Sequence, residues 1–214
     1  MIIKKVYKGT TPFVKGYKGT TVIFEEGGSL PSEYQQVEYI ESTVNYPKDS
    51  NYIDTGIYPS ATINTWIDFE FTNNFDDWGR LFGSRYYEIL FYGNINNIQF
   101  RPYSGVTYDY RQFEYNTRYT LSMGDGKINI NDNLEYEYTY SGNDNYTIRL
   151  FSSQQDRDGA YKLYACKMYD GDALIRDYVP CYIKATNEVG LYDLVTKQFY
   201  HNLGSVPFIA GGNV

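Results

Sequence analysis

The sequence predicts an all-β fold, a sandwich or a barrel, on three observations. Tyrosine is the commonest residue, 26 of 214, with glycine next at 19, and a tyrosine-, threonine- and isoleucine-rich chain suits a pleated, half-buried surface. Period-two alternation recurs along the chain, whereas no window of twelve or more residues carries an apolar set at helical spacing with a cap and a stop. About a dozen short runs are separated by Gly, Asn and Asp turns.

In chain order, strands are expected at Tyr34–Glu41 and Tyr52–Thr55, then at Thr62–Thr72. The last run (TINTWIDFEFT) sets Ile63, Ile67, Phe69 and Phe71 against Asp68 and Glu70, one dry face and one wet. Arg80–Phe82, Glu88–Tyr92 and Ile98–Pro102 follow, then a hairpin over Tyr119–Asn131 turning at Gly124-Asp125-Gly126. Leu134–Tyr140 alternates acids with aromatics, Thr147–Ser152 is a further strand, and Ala160–Val179 folds back around Asp170-Gly171-Asp172. Gly190–Asp193 and Gln198–His201 complete the set.

The chain opens on a repeat. Tyr7-Lys8-Gly9-Thr10-Thr11 recurs as Tyr17-Lys18-Gly19-Thr20-Thr21, and Gly27-Gly28-Ser29-Leu30-Pro31 separates this segment from the rest. Each Lys-Gly is expected to turn between apolar strands, giving a three-stranded meander with Tyr7, Lys8, Phe13, Tyr17, Lys18 and Phe24 as its contact residues. A ribbon of roughly 26 residues, below the about 40 at which domains hold unaided, cannot close a core by itself. Two readings stand: residues 1–28 add strands to the edge of domain 29–214, or they attach to another protein or to copies of the same chain. Two copies are too few for a solenoid.

The net charge is −7, yet the first 21 residues hold five lysines and no acid, leaving −12 on the remainder. An acidic body argues against nucleic acid and anionic membrane as partners. Met1-Ile-Ile-Lys-Lys has no secretory pattern and no apolar window spans a bilayer, so synthesis in the cytosol is expected. Cys166 is expected opposite residue 176, which leaves Cys181 five residues further, roughly 17 Å away. Disulfide geometry needs Cα atoms within about 7 Å, so both are predicted to be buried thiols.

From Tyr34 onward the chain resembles a laminin-G-like, concanavalin A-like jelly-roll family of gut bacteria and their bacteriophages. Glu38-Tyr39-Ile40-Glu41-Ser42-Thr43 and Tyr52-Ile53-Asp54-Thr55-Gly56 carry the resemblance at one end. Lys167-Met168-Tyr169-Asp170, Leu174-Ile175-Arg176-Asp177-Tyr178-Val179-Pro180-Cys181, Gly190-Leu191-Tyr192-Asp193 and Phe199-Tyr200-His201-Asn202-Leu203-Gly204 carry it at the other. Residues 61–160 share only the strand rhythm, and Val44–Ser50 is an extra loop. The resemblance implies an antiparallel jelly-roll β-sandwich in which these residues are structural, with Arg176 and Asp177 paired near a sheet edge, and it brings no catalytic set. The opening repeat resembles tandem Y-K-G-(S/T)-T segments at the start of phage virion proteins. It implies a fibre, decoration or baseplate protein of a virion, a homo-oligomer such as a trimer bound to other virion proteins, assembled in host cytoplasm and released by lysis. A carbohydrate-binding module of a gut bacterium is the alternative.

Enzymatic chemistry is not expected. His201 is the only histidine and no nucleophile elbow accompanies it; the E-x-D-x-x-E acid pattern of jelly-roll glycosidases is missing, and Glu135 and Glu137 read as solvated acids. No cofactor is expected. The one cation left open is a rim calcium with Asp76, Asp77, Asp170 or Asp172 as oxygen donors, against which stands their reading as turn acids. For a cell-surface glycan, the candidate residues are Asp76, Asp77, Trp78, Arg80, Tyr86 and Tyr87, with Tyr103, Tyr108 and Tyr110 as further platform rings. The competing reading makes these rings ordinary half-buried strand residues or protein contacts.

Overall fold

The computed structural model describes residues 7–8, 11–12, 15–18, 21–25, 30–43, 49–72, 78–92, 97–103, 105–110, 113–142, 144–154 and 158–214. Before residue 26 and at Trp78 the description is of backbone alone. The chain divides into two compact units, Met1–Leu30 and Pro31–Val214.

In the first unit β1 (Tyr7–Lys8) pairs with β2 (Thr11–Pro12), and β3 (Lys15–Lys18) with β4 (Thr21–Glu25), all antiparallel. The expected three-stranded meander is replaced, among the described residues, by two separate ribbons. Pro12 lacks the N–H that a middle strand must donate, which disfavours β2 in that role. The lysines are not turn residues either, because Lys8 pairs with Thr11 and Lys18 with Thr21 inside the ladders.

The second unit begins with β5 (Tyr34–Gln36), β6 (Ile40–Glu41), β7 (Ile53–Asp54) and β8 (Ile63–Glu70). β9 (Trp78–Gly83), β10 (Glu88–Tyr92), β11 (Asn97–Arg101) and β12 (Tyr108–Tyr110) follow. Next come β13 (Arg118–Gly124), β14 (Lys127–Ile130), β15 (Asn133–Glu137) and β16 (Arg149–Leu150). β17 (Lys162–Asp170), β18 (Ala173–Ile183), β19 (Val189–Asp193), β20 (Gln198–His201) and β21 (Ile209–Ala210) complete it. No helix occurs among the described residues.

Two antiparallel sheets result, an all-β architecture consistent with a jelly-roll sandwich. The smaller runs β12-β11-β10-β9-β16-β7; the larger runs β15-β14-β13-β8-β17-β18-β19-β20, with β5 on β18 and β6 between β17 and β21. Alternation along β8 buries Ile63, Thr65, Ile67 and Phe69 and leaves Asn64, Trp66, Asp68 and Glu70 half-buried, as the period of two requires. The core lies between the sheets, where Phe71 beyond the end of β8 stacks on Phe91 of β10 with ring centroids 4.2 Å apart, and Phe151 on Tyr161 at 4.3 Å. Aromatic pairs add directional attraction to the area they bury.

The β13–β14 turn is made by Asp125 and Gly126, both at positive φ (50° and 70°). That is the pattern of a tight hairpin of the right hand for twisted strands. Across β17 and β18 the register differs from expectation, since Cys166 faces Tyr178, not residue 176. The loop is two residues long, Asp170 pairing with Ala173, and a bulge between Met168 and Tyr169 adds one more. Cys181 is still three residues beyond, and both cysteines are free and buried. Burial pushes both thiols up, that of Cys181 to about 12. Neither is expected to react with a thiol-alkylating reagent at pH 8 until denaturant is added; labelling of the native protein, read by mass, would contradict this burial.

Arg176 and Asp177 do not pair with each other. Adjacent strand residues point to opposite faces, and β18 lies inside the sheet between β17 and β19, not at its edge. Asp177 meets Lys167 at 3.3 Å, whereas the Arg176 guanidinium lies 3.6 Å from Asp193 and donates to the Thr55 carbonyl at 3.2 and 3.3 Å. Asp193 also accepts the Asp177 and Val195 amides and the Thr196 hydroxyl. Arg176 thus clamps the Tyr52–Gly56 motif to the Gly190–Asp193 motif. Asn202 makes a similar link, its Oδ1 accepting the amides of Tyr52 (3.0 Å) and Gly204 (2.9 Å).

Candidate functional site

At one end of the smaller sheet, the loop from β9 to β10 meets the loop from β11 to β12 around a cleft of about 320 Å³. Its lining includes Arg85, Tyr86, Glu88, Arg101 and Tyr103, a size and composition suited to a small ligand. Glu88 and Arg101 are cross-strand partners in the β10–β11 ladder, which fixes them side by side.

The floor is ionic. Glu88 is fully buried and Arg80 nearly so; Arg80 Nε donates to Glu88 Oε2 at 2.8 Å and Arg101 Nη1 to Oε1 at 3.0 Å. Gln99 Oε1 accepts from Arg101 Nε at 3.0 Å and orients its plane. Such a group is tolerated inside only because its charge is matched and hydrogen-bonded.

The wall is a tight loop held from behind. Asp144 Oδ2 accepts the Ser84 hydroxyl and the amides of Arg85 (3.0 Å) and Tyr86 (2.8 Å), and Oδ1 accepts the Tyr146 amide at 3.1 Å. Ser84 N also bonds to Tyr87 O at 2.7 Å. The Arg85 and Tyr86 side chains therefore leave a fixed backbone, with the guanidinium 5.1 Å from the Tyr86 ring centre and 6.0 Å from that of Tyr146. Tyr103 stands across the cleft near Tyr140, with centroids 6.3 Å apart.

Of the residues expected at a glycan site, Tyr86 and Tyr103 share this cleft. Arg80 is near it, but 2% exposed beneath Glu88, so it supports the floor and does not touch solvent. Tyr87 is a correction: it is 1% exposed, in the core, with its hydroxyl donated to the Met123 carbonyl. The bend over residues 85–87 leaves Tyr86 half-buried at the cleft and turns Tyr87 into the core. Tyr108 and Tyr110 lie on β12, Tyr108 with its ring 4.8 Å from Tyr136. Trp78 begins β9 opposite Tyr92, its side chain outside the description, while Asp76 and Asp77 lie outside the described residues. Among the attachment residues Tyr7, Lys8, Tyr17, Lys18 and Phe24 fall on the ribbons and Phe13 lies outside the described residues.

Asp170 and Asp172 are exposed at the β17–β18 turn, and among the described residues no group of three or more His, Cys, Asp or Glu stands ready for a metal ion. Glu135 and Glu137 are exposed, and His201 Nδ1 sits 3.7 Å from Glu188 at the surface.

A residue that sequence reasoning passed over is Trp66. It shares the wet face of β8 with Asp68 and lines a depression of about 370 Å³ with Asn64, Ser122, Lys167 and Tyr169 on the outside of the larger sheet. Its parity was the signal: an indole on the polar side of a cleanly alternating strand.

By fold and cleft, the molecule is an antiparallel β-sandwich with a guanidinium- and tyrosine-lined recess at one end of its smaller sheet. In comparisons with known proteins, no family model and no curated protein sequence matched the chain.

Proposed function

We propose that the chain is a non-enzymatic structural protein of a bacteriophage virion, such as a head or tail fibre, decoration or baseplate component. In this reading residues 1–28 bind other virion proteins and further copies of the chain, and the sandwich faces outward for adhesion to a cell-surface glycan. It is assembled in the host cytoplasm and released by lysis. The observation that carries the reading is the division of the first unit into two ribbons, each pairing only with itself among the described residues. An isolated two-stranded hairpin is marginal in water, and open ladder edges are where a further strand adds. The virion context is supported by the resemblance of the repeat. A binding role without catalysis is supported by Glu88, whose two oxygens are both occupied by guanidinium groups.

The second reading, a carbohydrate-binding module acting outside any particle, is favoured by the cleft itself. Removing residues 1–30 separates the two. We expect the full chain to run as an oligomer by light scattering and the truncated chain as a folded monomer with its glycan retention intact. An unchanged mass would remove the attachment role and leave the module.

A further inference from the structure

Trp66, which the cleft leaves unused, marks a separate site, and we infer that the depression around it on the outside of the larger sheet binds a neutral saccharide. The inference goes beyond the cleft described above and does not depend on it. β8 lies between β13 and β17, and the register sets Ser122 and Lys167 on either side of Trp66, with Tyr169 beside Asn64. These five residues line the depression of about 370 Å³. Trp66 and Tyr169 are both half-buried, so each keeps part of its ring open to water. They are diagonal neighbours across two strands, within reach of one ligand that covers both. Gly124, opposite Asn64, contributes no side chain to that end of the patch.

The charges around the patch are matched. Lys167 meets Asp177 at 3.3 Å, and Asp68, the next acid along β8, is held by Arg118 through two bonds of 2.6 Å. What remains for a ligand is a set of neutral donors and acceptors beside an indole. Ser122 Oγ accepts from Asn129 Nδ2 at 2.9 Å, which leaves its own proton to donate. Asn64 Oδ1 is buried with no hydrogen-bond partner among the described residues; an unmet buried acceptor costs free energy, and a sugar hydroxyl is the kind of donor that meets it. A protein partner fits less well. β8, β13 and β17 are inner strands whose ladder groups are already paired, so no further strand adds there. Five lining residues are also few beside the roughly 20 to 30 that each side brings to a stable protein interface. A pyranose matches on both counts, with an apolar C–H face for the indole and hydroxyls at its edge for Ser122 and Asn64.

The test uses the full chain, uniformly labelled, with maltotriose, mannotriose and galactotriose as the neutral probes. Trp66 and Trp78 are the two tryptophans of the chain, so NMR should show two indole N–H signals, and the one lost in Trp66→Phe is that of Trp66. At least one of the three sugars is expected to move it saturably, with an affinity that stays level as salt rises from about 20 mM to about 500 mM, since no ion pair is exchanged. Trp66→Ala is expected to weaken binding at least about tenfold, as the loss of a central aromatic anchor does. Tyr169→Ala should weaken it to a smaller extent, and it carries the test if the first variant does not fold. No shift at Trp66 with any of the three sugars would overturn the site. A change in the mass of the sugar-free chain on Trp66→Ala would overturn it too, by making this face a contact between copies. Shifts confined to Tyr86 and Tyr103 would overturn this site and leave glycan recognition at the cleft standing.

Discussion

Replacing Glu88 with glutamine is expected to destabilise the sandwich by about 3 to 5 kcal/mol, the cost of breaking a buried ion pair from one side. The carboxylate has no solvent exposure, and the guanidinium it faces, 2.8 Å away on Arg80, is 2% exposed. Deleting one partner therefore removes the attraction while the other still bears its full desolvation cost. The loss should appear as a lower midpoint of urea unfolding with an unchanged slope. A companion double variant, Glu88→Leu with Arg80→Met, should recover much of the loss, since apolar replacement of a buried pair is often neutral or better. If Glu88→Gln costs less than about 1 kcal/mol, the pair behaves as a surface salt bridge and the floor described above is wrong.

The second large effect is expected at Gly159. A Cβ there would lie 1.8 Å from the Arg80 carbonyl oxygen and 2.7 Å from its carbon, so backbone, not a yielding side chain, is in the way. Gly159→Ala is expected to cost about 3 kcal/mol or more, read as a fall of roughly 6 to 12 °C in the melting midpoint for a chain of this length. The neighbouring Asp158 should transmit the damage, because its carboxylate accepts the amides of Asp49, Ser50 and Asn51 and ties that loop to the same region. An unshifted melting curve would show that β9 and the segment after residue 157 are less closely apposed than described.

The strands were legible because alternation is a local property. Ile63, Ile67 and Phe69 announce a buried face with no knowledge of what covers it, and Asp125-Gly126 announces a turn by its tolerance of positive φ. β12 and β21 were not legible: at three and two residues they are too short for a period to register, and pairing with β11 and β6 defines them. The site was half legible. Tyr86 and Tyr87 are chemically identical, and only the sheet decides which faces the cleft and which the core. Arg80 reads as a glycan-site residue and Glu88 only as the start of a strand, because local sequence carries no sign that each will be buried against the other, eight residues apart across a hairpin. Arg176 and Asp177 misled for the same reason, as adjacency in sequence places their side chains on opposite faces.

The seam of the larger sheet has one more implication, for how the molecule comes into being. β6 pairs with β21, and Val37 bridges to Asn213, so the first strands of the second unit are held in place by its last one. A topology dominated by such distant partners belongs with the slow folders, at about milliseconds to seconds. Until β21 docks, β6 presents one open flank, a place where a foreign strand could add.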